Sequence, residues 1–279
     1  MLQNHLKKEF KLSLLTSVIR NIFRARKEAS QLPDEEASKK FIEDELNRHN
    51  AIVNTALPGP RYYEWLMWFQ YFVKPKVYLE IGVETGKALA YAMPPTLAIG
   101  VDPSFQISFE FKARTKLFKQ TSDAFFDELN PTETFEDQKI DMAFIDGLHT
   151  FDQALKDFIN VEKHSHHNTI ILFHDVLPII PETADRDRHT MFWIGDTWKV
   201  MFILKKYRPD IKLFTIPTSS SGLGVTAQLD PNSTVLSDRY DEIVKEAMAW
   251  DLKEFMPNLR ENINTLSNDF NLVAETLNS

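Results

Sequence analysis

The stretch that most restricts what this chain can fold into is residues 77–104, VYLEIGVETGKALAYAMPPTLAIGVDPS. Two short apolar runs of β type each carry or meet a carboxylate, and a glycine turn follows the first. Val77, Tyr78, Leu79 and Ile81 make a buried strand that brings Glu80 to a sheet edge. Gly82 and Gly86 then let the backbone turn tightly into a helix whose first N–H groups face a cleft. A second strand over residues 97–101 delivers Asp102 roughly 20 residues beyond the turn, the reach of a carboxylate that holds ribose hydroxyls. The expectation is an adenosine-type cofactor at the edge of an α/β sheet.

The glycine spacing narrows the choice. A dinucleotide site uses G-x-G-x-x-G so that a pyrophosphate meets bare backbone, whereas this loop reads Gly82-Val83-Glu84-Thr85-Gly86. Glu84 would repel a pyrophosphate and speaks against the alternative of an NAD- or nucleotide-sugar-dependent enzyme. Three more segments carry polar residues at strand ends. Residues 120–126, QTSDAFF, put Ser122 and Asp123 at a tip; residues 140–157 hold an apolar strand ending in Asp146-Gly147-Leu148-His149; the strand over 169–173 ends in His174-Asp175-Val176. Strands near 77–81, 97–101, 116–120, 140–145 and 169–174 alternate with helical segments, the pattern of a parallel sheet covered on both faces.

The pattern E-x-G-x-x-x-G with V-D-P, then D-G-x-H-x-[FY] and H-D-V, resembles the class I S-adenosylmethionine-dependent methyltransferases. Within them it is similar to family 24, related to catechol-type and macrolide-sugar O-methyltransferases. The resemblance covers roughly residues 62–231. It implies a Rossmann-like, mostly parallel sheet with an antiparallel last strand, helices on both faces and extra helices at both ends. It also implies S-adenosyl-L-methionine held along Glu80, Gly82, Gly86, Asp102, Ser122, Asp123 and Asp146. The reaction implied is O-methylation of a small-molecule or sugar-containing acceptor.

Composition bounds the other classes. The chain has 279 residues, 43% hydrophobic and 26% charged, enough for one large core with helical additions. The expected division is residues 1–60 as a helical extension and substrate cover, 61–232 as the catalytic core and 233–279 as a helical tail. A formal charge of −8 argues against a nucleic-acid partner, and the absence of cysteine removes disulfides and thiolate chemistry. No apolar run of about 18 residues and no signal-peptide pattern occur, so a cytoplasmic, soluble protein is expected. Residues 5–27 read as a basic amphipathic helix. It would pack on the domain or on a second subunit of a homo-oligomer, or dock to a membrane surface or acidic partner, as in a non-catalytic interaction protein.

Methyl transfer to a hydroxyl needs a group that removes the proton, and His149 is the first candidate, with Asp146 beside it and His174 as the alternative base. The competing reading is that His149 caps the helix that follows it or bonds a carbonyl. Asp146 and Asp175 would end neighbouring strands and share a divalent ion such as Mg²⁺, or else anchor substrate. Relatives that use a metal commonly have a third carboxylate where His174 stands here. His164, His166 and His167 read as a helix end that satisfies carbonyls rather than as a metal cluster. Trp193, Trp198 and Lys199 are candidates for substrate contact, with burial at a helix start as the equal alternative. Between Asp175 and Trp198, Pro178, Pro181 and the run Asp185-Arg186-Asp187-Arg188 suggest a lid.

Overall fold

The computed structural model describes residues 35–279, so the amphipathic segment 5–27 lies outside the described residues. Seven strands form one sheet: β1 Val77–Ile81, β2 Leu97–Val101, β3 Arg114–Phe118, β4 Ile140–Ile145, β5 Ser165–His174, β6 Lys212–Ile216 and β7 Leu223–Ala227. Their order is β3-β2-β1-β4-β5-β7-β6. All neighbours run parallel except β7, which is antiparallel to both β5 and β6. The chain therefore winds one way from β1 through β2 to β3 and the other way from β1 through β4 to β5. A crevice opens where the direction changes, outside the carboxyl ends of β1 and β4.

The apolar runs of β1 and β2 are continuous because both faces of these strands are covered. Alternate side chains feed two separate layers. Val77, Leu79 and Ile81 pack with Phe151, Leu155 and Phe158, whereas Tyr78 packs on the opposite face with Trp65, Leu66 and Phe69. The helix Phe151–Lys163 turns Phe151, Ala154, Leu155, Phe158 and Val161 inward at the spacing of one helical face. Tyr62–Val73 is apolar around most of its circumference because the C-terminal helix Phe270–Asn278 covers its second side. The Trp65 ring lies 4.3 Å from that of Phe270 in a tilted contact, and its Nε1 donates to Asn268 at 2.6 Å.

Three local expectations are corrected. The glycine turn does not lead into a helix; a single 3-10 turn, Leu89–Tyr91, is all that forms. Pro94 and Pro95 stand just ahead of β2, have no N–H to donate, and leave too short a segment for a helix. Strand β3 starts two residues earlier than expected, at Arg114. Strand β5 starts at Ser165, so His166 and His167 belong to a strand and only His164 caps the preceding helix. His166 Nε2 lies 3.0 Å from Asp141 and His167 Nδ1 lies 3.0 Å from the Leu229 carbonyl, so the ladder holds these rings apart. Among the described residues, no helix is long and apolar enough to cross a membrane.

Gly82 is where β1 and β4 come closest beyond the ladder. Its φ is +91°, and a side-chain methyl there would overlap the Asp146 carbonyl oxygen. Gly82→Ala is expected to lower unfolding free energy by about 3 kcal/mol or more, since it adds both strain and overlap. Gly147→Ala meets only the Ile81 methyl at 3.3 Å. It should cost less than about 1.5 kcal/mol. Denaturant titration of the two variants checks the contrast; equal losses would mean that this close approach is not the constraint.

Candidate active site

A cavity of about 680 Å³ follows the carboxyl ends of the parallel strands, a size suited to a cofactor and a small acceptor. Its wall takes Ser122 and Asp123 beyond β3, Asp102 after β2, Glu80 from β1, Asp146 after β4, and His174 with Asp175 at β5. Tyr62 and Tyr63 close one side, and Leu148, Phe192 and Trp193 close another. Glu80, Gly82, Asp102, Ser122, Asp123, Asp146, His149, His174, Asp175 and Trp193 are thus brought to one surface.

Asp102 makes contacts that its spacing in the sequence does not foretell. Its Oδ2 accepts from the N–H groups of Val83 and Glu84, each at 2.9 Å, and its Oδ1 accepts from Ser104 N–H at 2.6 Å. The loop amides expected to face the cleft are therefore turned onto a carboxylate, and the absent helix contributes no dipole there. Gly86, expected to touch the cofactor, stands back from the cavity. Its φ of +81° makes the turn, and a methyl on it would press on Phe111 at 2.9 Å. At the β3 end Gln153 Nε2 lies 3.1 Å from Ser122 Oγ and 3.0 Å from Asp123, whose other oxygen meets Lys156 at 2.7 Å.

Glu80 is wholly buried. Its Oε2 accepts from the Tyr78 hydroxyl at 2.7 Å while its Oε1 has no hydrogen-bond partner. Burial raises its carboxyl to about 8 against the opposing pull of the Tyr78 bond, so it is largely protonated at neutral pH.

At the other end His149 precedes Thr150, which opens the helix Phe151–Lys163. It does not cap that helix: the Phe151 N–H donates to Asp196 at 3.0 Å. Its Nδ1 lies 3.0 Å from the Trp193 carbonyl and 3.2 Å from Asp175, its ring stacks on Trp193, and its Nε2 faces Asp146 at 3.7 Å. His174, the alternative base, lies between two carboxylates. Burial alone would depress its pKa, but the carboxylates of Asp175 and Asp146, each 3.3 Å from Nδ1, override it and carry the pKa to about 9. The ring is an imidazolium at neutral pH, packed under Tyr62 at 4.2 Å. Asp175 adopts a left-handed φ of +60° and accepts from the Ser221 hydroxyl.

Two substrate assignments are corrected. Trp198 is buried away from the cavity, 5.6 Å from Phe202 and 5.3 Å from Phe255, and Lys199 is buried with its ammonium 3.5 Å from Asp196. Both belong to the apolar start of the helix Lys199–Tyr207. Sequence reasoning missed Tyr62, Tyr63, Lys87, Gln153, Phe192 and Ser221. Only tertiary packing brings these residues in, and no local pattern marks them.

Residues 79–176 match the family model for a methyltransferase domain, Methyltransf_24. A search of curated proteins finds no relative of this chain. Among solved structures the chain is similar to a methyltransferase of Podospora anserina bound to S-adenosylhomocysteine: 17% identity, 72% of this chain and 100% of that one, TM-score 0.43. It is also similar to an O-methyltransferase of Bacillus cereus in complex with S-adenosylhomocysteine: 13%, 77% and 98%, TM-score 0.42. A third is the O-methyltransferase TomG of Streptomyces achromogenes, involved in tomaymycin synthesis and complexed with S-adenosylmethionine: 13%, 78% and 98%, TM-score 0.44. Likenesses this distant assign no residue role here. The matched segment, a methyltransferase domain, runs from within β1 to just past β5 and lies in the seven-stranded sheet with its antiparallel β7.

The buried Glu80 carboxyl makes a stability prediction. Its folded pKa exceeds its unfolded one, so the folded state holds the extra proton and stability falls as pH rises from about 4.5 to about 8. Glu80→Gln keeps an acceptor for Tyr78 and cannot ionise. The ligand-free variant should match wild type near pH 5 and exceed it by on the order of 2–4 kcal/mol near pH 9. Denaturation at the two pH values is the measurement, and a variant less stable than wild type near pH 9 would show Glu80 to be ionised and paired.

Proposed function

We propose that the enzyme methylates a hydroxyl oxygen of a small-molecule acceptor, with His149 as the base. The observation that carries this reading is the fixed imidazole. Nδ1 is held by the Trp193 carbonyl and Asp175, which leaves Nε2 as the nitrogen able to take a proton at the acceptor end of the cavity. Tyr62 is a poorer base, because burial above all pushes its phenol well above the ordinary value. The acceptor oxygen attacks the sulfonium methyl, the carbon–sulfur bond breaks with its electron pair going to sulfur, and Nε2 takes the hydroxyl proton. Asp102 and the Ser122–Asp123 tip serve the adenosine, and Glu80 and Asp146 face the methionine arm.

The acceptor side is formed by Tyr62, Leu148, Phe192 and Trp193, a wall suited to an aromatic or sugar face. The helix Glu35–Ala56 supports this cover, since His49 stacks 3.7 Å from Phe192. That contact favours reading the N-terminal region as part of the substrate cover.

Donor atoms of Asp146, His149 and Asp175 lie within 4.8 Å of one another, close enough to surround an ion. The charge around them does not suit one. The His174 imidazolium already lies against both carboxylates, and no third carboxylate joins them as a hard cation such as Mg²⁺ would want. The proposed methyl transfer proceeds without a metal ion.

Once an acceptor is in hand, His149→Gln should bind S-adenosylhomocysteine like wild type while kcat falls by about 10²–10⁴. Calorimetry and turnover assays separate the two effects, and unchanged turnover would remove His149 from the chemistry. Excess EDTA should leave wild-type turnover intact; its loss, restored by a divalent ion, would assign the three donors to a metal.

A further inference from the structure

We propose that Lys87 binds the α-carboxylate of the cofactor's methionine arm, an inference that rests on the cofactor reading above. The sheet order sets the direction in which the ligand lies. Asp123 follows β3, Asp102 ends β2, and Glu80 belongs to β1. With the adenine at the β3 end and the ribose at Asp102, the amino-acid arm comes to β1 and the loop that follows it.

That arm carries an ammonium and a carboxylate, and the cavity treats them unequally. The ammonium meets Glu80, whose buried Oε1 lacks a partner. The carboxylate enters a wall that holds Glu80, Glu84, Asp102, Asp123, Asp146 and Asp175. An anion among these groups needs a local counter-charge. Lys87 is the one lysine or arginine among the described residues that lines the cavity. Its ammonium rests 3.6 Å from the centroid of the Tyr63 ring, itself part of the wall, and no carboxylate of the described residues pairs with it. Lys156, at the adenine end, is committed to Asp123 at 2.7 Å, and the His174 imidazolium is matched by Asp146 and Asp175. The aromatic face therefore holds a free cation at the β1 loop, where its three N–H donors remain open for a carboxylate.

The test compares S-adenosylhomocysteine with 5′-methylthioadenosine, which lacks the amino-acid arm, by calorimetry without acceptor. Lys87→Met should weaken S-adenosylhomocysteine by about tenfold to a hundredfold and leave methylthioadenosine within about twofold of wild type. Lys87→Arg keeps the charge and should retain most of the affinity, and unchanged melting of both variants excludes misfolding as the cause. Equal effects on the two ligands, or none, overturn the proposal. So does an unchanged S-adenosylhomocysteine affinity combined with a raised KM for an anionic acceptor, which would assign Lys87 to the acceptor's carboxylate. Wild-type protein that binds neither ligand would overturn the cofactor reading itself, and the proposal with it.

Discussion

The close approach of Gly82, just beyond β1, to Asp146, just beyond β4, is the constraint on which the rest of the site depends. Gly82 passes so close to the Asp146 carbonyl oxygen that no side chain fits, and Gly82 N–H donates to the Val101 carbonyl while Asp146 N–H donates to the Ile81 carbonyl. Three strand ends are thereby locked within one turn of chain. Asp102 extends the lock by accepting from Val83 and Glu84. The loop is preorganised by a carboxylate and a steric limit rather than by a helix. The residues that face the ligand consequently have little freedom to lose on binding.

A cavity lined by six carboxylates would be self-repulsive if all were ionised and alone. The fold answers at each position in a different way. Burial keeps Glu80 protonated, Lys156 and Gln153 hold Asp123, and the His174 imidazolium lies between Asp146 and Asp175. What remains is an acidic cavity in which, among the described residues, Lys87 at the β1 loop is the one lysine or arginine on the wall.

The side of the cavity lined by Tyr62, Phe192 and Trp193 is made by segments far apart in the chain. Tyr62 comes from the helix before β1, Trp193 from the stretch after β5, and His49 supports Phe192 from the first described helix. Arg186 fastens the stretch to the core through Asp152 at 3.0 Å and Asp196 at 3.3 Å. Asp196 in turn accepts from Phe151 N–H, so the cover and the helix that presents His149 are tied to one carboxylate.

The sequence by itself determined the parallel strands, the acids and histidines at their tips, and the methyltransferase-domain pattern of residues 79–176. These follow from short apolar runs, turn glycines and carboxylates at fixed spacing, all of which are local. Even there, the helix expected after Gly86 was overruled by Pro94 and Pro95. Tertiary structure alone decided that Trp198 and Lys199 are core, that His174 and His149 lie against Asp146 and Asp175, and that Tyr62, Tyr63 and Lys87 join the wall. Burial, the neighbours that set a proton's position, and contacts between segments more than a hundred residues apart are properties of the folded surface, and no local pattern in the chain encodes them.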